Sequence, residues 1–170
     1  MVVRKPGWPM RALAWVAVVG VLLAGCAQPV NVEPAPSAST PVCADVLISL
    51  PDELAGAEVR STTSQASRAW GEPAIVLRCG VEPLPPTTDP CVSITDGQGK
   101  SVDWVTTADG APSASVPNAS APNATVFTSY GRDPAVEVTI PASYAGEAAT
   151  TILTVLTASV APLPQDGSCL

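Results

Sequence analysis

Histidine is absent from this 170-residue chain, and after the first 25 residues Lys100 is its one lysine. The first absence removes the commonest general base and excludes Ser-His-Asp and Cys-His nucleophile systems. A Ser-Lys pair would have to use Lys100, which stands beside a turn. Aromatic residues make up 4% of the chain, too few to offer sugar rings a broad stacking surface. A paired-carboxylate glycosidase has no spacing in its favour. CxxC, GxGxxG, P-loop and DxDxDG signatures are all missing, so zinc modules, nucleotide sites and calcium loops lack their usual ligand patterns. Asp96, Asp103 and Asp109 crowd around one hairpin and read as solvated turn acids. No metal and no cofactor is expected, and the chain leans away from enzymes.

Charge is also scarce, at 14%, and it is unevenly placed. The net charge is −7, but Arg4, Lys5 and Arg11 lie at the very start. Beyond them, five basic residues face 15 acidic ones. A surface that acidic repels phosphate, which excludes nucleic acid as a partner.

What the sequence does have begins with a leader. A basic start precedes the apolar run "ALAWVAVVGVLLA", Ala12 to Ala24. That run falls short of the roughly 20 residues that span a bilayer. It ends in Leu23-Ala24-Gly25-Cys26, which resembles the bacterial lipobox. Small residues before the cysteine let an extended backbone enter a peptidase, and the thiol can then carry diacylglycerol. The expectation is a lipoprotein signal peptide over 1–25, with Cys26 lipidated and the protein held on the extracytoplasmic face of the cell membrane. Residues 26–41 are rich in Pro, Ala, Ser and Thr and read as a semi-extended tether.

With Cys26 set aside, Cys43, Cys79, Cys91 and Cys169 remain. In an oxidising compartment four cysteines predict two disulfides, with three connectivities open. The preferred set is Cys79–Cys91, flanking the Pro-rich "GVEPLPPTTDP", and Cys43–Cys169, joining the two ends of the domain.

The folded domain is expected over 42–170. Val42, Val46, Leu47 and Leu50 share a helical face that Pro51 ends, and residues 61–69 read as a short helix or a loop. Strand signals follow. Ile75, Leu77, Cys79 and Val81 alternate with Val76 and Arg78, and "CVSIT" and "SVDWVTT" flank the turn Asp96–Gly99. Ala111 to Ala124 is a low-complexity loop. "TVFTSYGR" and "AVEVTIP" add two more strands, the second pointing Val136, Val138 and Ile140 inward. A final helical stripe holds Ile152, Val155, Leu156, Ser159 and Val160. The predicted fold is α+β: an antiparallel sheet of about five strands with N- and C-terminal helices packed on one face.

"AWGEPAIVLRCG", a spaced cysteine, "VDW" and "FTSYGRDPAVEVTIP" together resemble an actinobacterial family of secreted and lipid-anchored proteins that carries a domain of unknown function. The resemblance spans about Cys43 to Cys169. It implies an envelope address and a disulfide-bearing α+β domain, and brings no catalytic residue with it.

One group of side chains is a candidate recognition patch: Trp70, Arg78, Tyr130, Arg132, Asp133 and Glu137. Trp, Tyr and Arg are the anchors that interfaces favour. The plain alternative is a core tryptophan and a cross-strand Arg78–Glu137 ion pair. The sequence therefore favours a lipid-anchored envelope module that binds an envelope protein or wall component without catalysis. The alternatives are a carrier of a small apolar ligand and a small carboxylate-based envelope enzyme.

Overall fold

The computed structural model describes residues 28–107 and 124–169. The leader, the lipobox with Cys26, and the loop read over Ala111 to Ala124, save its last residue, lie outside the described residues. The order is α1 (Pro41–Ser49), β1 (Glu53–Leu54), β2 (Ala57–Arg60), β3 (Ser67–Trp70), β4 (Ile75–Val81), β5 (Cys91–Thr95), β6 (Ser101–Thr107), β7 (Thr125–Tyr130), β8 (Ala135–Ile140), a 3-10 turn (Ala142–Tyr144) and α2 (Glu147–Val160).

All eight strands join one sheet in the order β1-β2-β3-β4-β8-β7-β6-β5, and every pairing is antiparallel. This corrects the α+β expectation of about five strands with helices at both ends. The described residues are mostly β: an eight-stranded antiparallel sheet, one 14-residue helix packed after it and one short helix. The extra strands are β1, β2 and β3. β1 and β2 form a hairpin whose two turn residues, Ala55 and Gly56, have φ of 53° and 77°. Positive φ at both central residues is what a tight hairpin turn needs, and Asn-Gly normally signals it. Here alanine takes the first position, so the sequence carries no such signal. β3 emerges from the Ser/Thr-rich stretch that read as a loop or short helix.

The two faces of the sheet have different covers. On one, Ile75, Leu77, Val102, Trp104, Val136, Val138 and Ile140 pack with Cys43 and Val46 of α1 and Ile152, Leu153 and Leu156 of α2. Three threonines of α2 send their hydroxyls to carbonyls one turn back: Thr151 to Glu147, Thr154 to Thr150 and Thr157 to Leu153. These bonds satisfy polar groups that would otherwise disfavour a Thr-rich helix. Val155, placed in the buried stripe by sequence, is 42% exposed, and Leu153 takes its place inside.

The opposite, outer face is covered over β3 and β4 by residues 28–40. The stretch read as a tether is pinned there along its described length. Val30, Val32 and Ala35 are buried, and the two valines cluster with Ala69, Ala74 and Val76. Val30 donates its N–H to the Ser61 carbonyl at 2.8 Å, Thr63 N–H returns a bond to the Val30 carbonyl at 3.0 Å, and Ser37 N–H reaches the Gly80 carbonyl at 2.9 Å. Composition hid this because only two valines and one alanine among the prolines face inward. Gly80 permits the last contact: a Cβ there would collide with the Ser37–Ala38 backbone.

The cysteines pair as Cys43–Cys79 and Cys91–Cys169, with Cα separations of 5.6 and 6.4 Å. This corrects the preferred pairing. Residues 82–90 carry the chain from β4 across to β5, past three intervening strands. At roughly 4.8 Å per strand that is about 19 Å, far beyond the roughly 7 Å a disulfide spans. Cys79 also points to the helix side, where α1 presents Cys43, whereas Cys91 points to the outer face.

Leu156 and Val155 test the burial assignment. Leu156→Ala is expected to cost about 2–5 kcal/mol of unfolding free energy in a denaturant titration. Val155→Ala should stay within about 0.5 kcal/mol of wild type.

Candidate binding face

The registers place one row of residues straight across the outer face: Ser67, Arg78, Glu137, Thr128, Val105 and Cys91. Arg78 sits near its middle, under the N-terminal strap. It is 8% exposed, its Nη2 lies 3.3 Å from Glu137 Oε1, and its Nη1 donates to the Glu33 carbonyl at 3.3 Å. Strap and sheet are thus joined through one guanidinium, whose Nε is buried and has no partner. A charge in this position needs its counter-charge, because neither group is well solvated.

Among the described residues, the strap's contacts with the sheet lie on β3 and β4 and at Arg78. Past Thr128 the outer face opens into a cleft of about 300 Å³ lined by Thr87, Asp89, Val105, Tyr130, Ser168 and the Cys91–Cys169 bridge. Asp89 accepts a hydrogen bond from the Thr87 hydroxyl at 2.8 Å. Asp103, beside Tyr130 in the register, accepts the Cys169 N–H at 2.8 Å and so fixes the C-terminal segment as one wall. The cleft offers hydroxyls, a carboxylate and a phenol around a small apolar floor. Those groups orient a ligand by hydrogen bonds.

The six residues of the expected patch do not form one surface. Arg78 and Glu137 face each other across β4 and β8, and Tyr130 lies further along the same face in the cleft. Trp70 is buried on the helix side, where its Nε1 donates to the Pro51 carbonyl at 2.9 Å. Arg132 is 5% exposed and donates to the Ala161, Leu163 and Ser101 carbonyls at 2.9, 2.7 and 3.0 Å. It stands at the C-terminus of α2, where a cation meets the unpaired carbonyls of the last turn. Burial lowers its pKa from the ordinary arginine value, and the nearby Asp103 carboxylate opposes that shift. Asp133 is exposed in the turn between β7 and β8, its N–H held by the Pro164 carbonyl.

Sequence reasoning missed Asp89, Val105 and Ser168. They are ordinary residues in sequence and become a site only because 82–90 and the C-terminal segment converge over β5 to β7. Among the described residues no group of His, Cys, Asp and Glu is placed to hold a metal. Asp96 accepts the Gln98 and Lys100 N–H groups with its Oδ1 and shapes the β5–β6 turn.

Over residues 10–166 the chain matches the model of a family described as a protein of unknown function, DUF3515. The chain belongs to that family, in agreement with the resemblance carried by its motifs. No curated protein and no solved structure matches it.

The Arg78–Glu137 pair yields a direct expectation. Glu137→Ala, which strands the guanidinium, should cost about 3–5 kcal/mol in urea unfolding. The double variant Arg78→Met with Glu137→Leu should lose much less, and a full double-mutant cycle measures the coupling.

Proposed function

We propose that this DUF3515 protein is a lipid-anchored module of the cell envelope that binds an envelope protein or wall component through the outer face of its sheet, without catalysing a reaction. The observation that carries the binding role is the half-covered face. A strap seals β3 and β4, while β5 to β7 carry an open cleft at whose edge stands Tyr130. Tyrosine combines a large apolar area with a hydrogen-bonding tip, the pairing interface anchors use. The acidic charge favours a partner with exposed basic groups. The anchoring role rests on the basic start, the 13-residue apolar run and Leu23-Ala24-Gly25-Cys26. No helix among the described residues is long and apolar enough to cross a membrane.

A second reading, a carrier of a small apolar ligand, draws on a recess between α2 and the sheet lined by Ile94, Phe127, Ile140 and Leu153. Its volume is about 200 Å³. Ligand sites usually offer about 300–1,000 Å³, so the recess suits a short chain at most. Native mass spectrometry of the purified domain separates the readings: bound lipid supports the carrier, and a clean apo mass counts against it.

Cys26→Ala is expected to release the chain from the membrane fraction or leave its leader uncleaved. A variant processed and retained like wild type argues against the anchor. For binding, a photoreactive benzoyl-phenylalanine at Tyr130 should capture one reproducible envelope component in intact cells. The same group at Glu58, on the far hairpin, should not. Scattered adducts at both positions would dismiss the binding face.

A further inference from the structure

We infer that the domain is not suspended above the membrane but lies directly on it, with the β3–β4 turn end of the sheet against the lipid headgroups. The inference rests on the anchor reading above and takes its geometry from the strap. A free spacer over 26–41 would reach about 50 Å when extended. The strap removes that length. The Gln28 carbonyl already accepts a bond from Arg60 Nη2 at 3.2 Å, Val30 pairs with Ser61 and Thr63, and Val32 N–H reaches Thr63 Oγ1 at 2.9 Å. Only Ala27 stands between Gln28 and the cysteine of the lipobox. Two Cα–Cα steps span at most about 7 Å, so the point of lipid attachment at Cys26 is held within about that distance of Gln28.

The side chains around Gln28 say which surface this is. Arg60 also donates to the Gly71 carbonyl at 2.9 Å and forms an ion pair with Glu72. The Tyr144 hydroxyl closes on the same turn: a Cβ added to Gly71 would meet it at 3.0 Å. An arginine and a tyrosine thus flank the point where the chain leaves for its anchor. Arg60 is committed to Gly71, Glu72 and Gln28 and so fixes the exit point, while tyrosine concentrates at the membrane–water boundary. The surface as a whole is acidic, with five basic against 15 acidic residues after the leader, and Glu58 and Glu72 are exposed at this end too. Anionic lipid repels it within about one Debye length, roughly 8 Å. Attachment therefore confines contact to the anchored end. The β5–β6 turn at Asp96–Gly99 lies at the other edge and the other end of the sheet. A domain of this size measures about 40 Å across. Its partner must accordingly present its contact within about that height of the bilayer, as the outer loops of a membrane protein do.

The test uses the full chain in its own cells, with benzoyl-phenylalanine placed at Glu72 or at Gln98 and phospholipid adducts read by mass spectrometry after irradiation. Adducts are expected at Glu72 and not at Gln98. A flexible Gly-Ser insertion of about 20 residues after Ala27, with a mean reach near 25 Å, should abolish those at Glu72. Equal labelling at both positions, or labelling indifferent to the insertion, overturns the apposition while leaving the anchor standing. A wild-type chain that fractionates away from the membrane, or Cys26→Ala retained like wild type, overturns the anchor and this inference together.

Discussion

The fold depends on covering strand β4 on both faces. It joins the β1–β4 hairpin series to the β5–β8 series through its pairing with β8, and all but its last residue are buried. Ile75, Leu77 and Cys79 are met by the helices, and Val76 and Arg78 by the strap. An antiparallel sheet can leave one face in water. This sheet cannot do so at its centre, because Val76 and the Arg78–Glu137 pair occupy that face. The strap is therefore part of the folded unit. Its two buried valines contribute about 1.5–3 kcal/mol each by area, an upper range that the cost of ordering a flexible segment reduces.

The remaining constraints follow from that two-sided burial. One disulfide lies on each face: Cys43–Cys79 ties α1 to the helix side of β4, and Cys91–Cys169 ties the chain's end to the outer side of β5. Each closes a segment that the sheet's hydrogen bonds do not hold. Arg132 does comparable work at a third point. Its fork gathers the end of α2, the 161–163 turn and the start of β6 onto one group. Gly131 lets the C-terminal segment pass so near that a side chain there would strike the Gly167 backbone. The cleft wall formed by Ser168 and Cys169 is thus positioned from two directions, by Arg132 and Gly131 at one side and by Asp103 at the other.

Much of the sheet was legible in the sequence because its strongest strands alternate. Ile75, Leu77 and Cys79 against Val76 and Arg78 gave β4 and both of its faces, and Val136, Val138 and Ile140 gave β8. Three features were not legible, each for its own physical reason. The β1–β2 hairpin turns on Ala55 at positive φ, a conformation alanine does not advertise. The disulfides depend on strand order, and a sequence does not show that β4 neighbours β8 and not β5. The strap looks like a linker because its stability comes from the partners of Val30 and Val32, which lie some 30 residues or more away. The candidate site shares this limit. Arg78 and Glu137 could be matched by strand phase, whereas Asp89, Val105 and Ser168 meet through long-range convergence alone.

The outer face therefore carries two features that share one row of side chains. At one end the strap leads toward the start of the chain, and at the other the cleft opens beside Tyr130. Between them stand Arg78, Glu137 and Thr128, adjacent in register, with Arg78 and Thr128 buried and Glu137 half-buried. Pulling the strap from the sheet would remove the Glu33 carbonyl from Arg78 and expose Val76 to water. Neither change can be confined to β4, since Glu137 is shared with the strand that also pairs with β7. On the proposed reading, attachment and recognition are then mechanically continuous. The same row that receives the strap through Arg78 also supplies Val105 and Cys91 to the cleft.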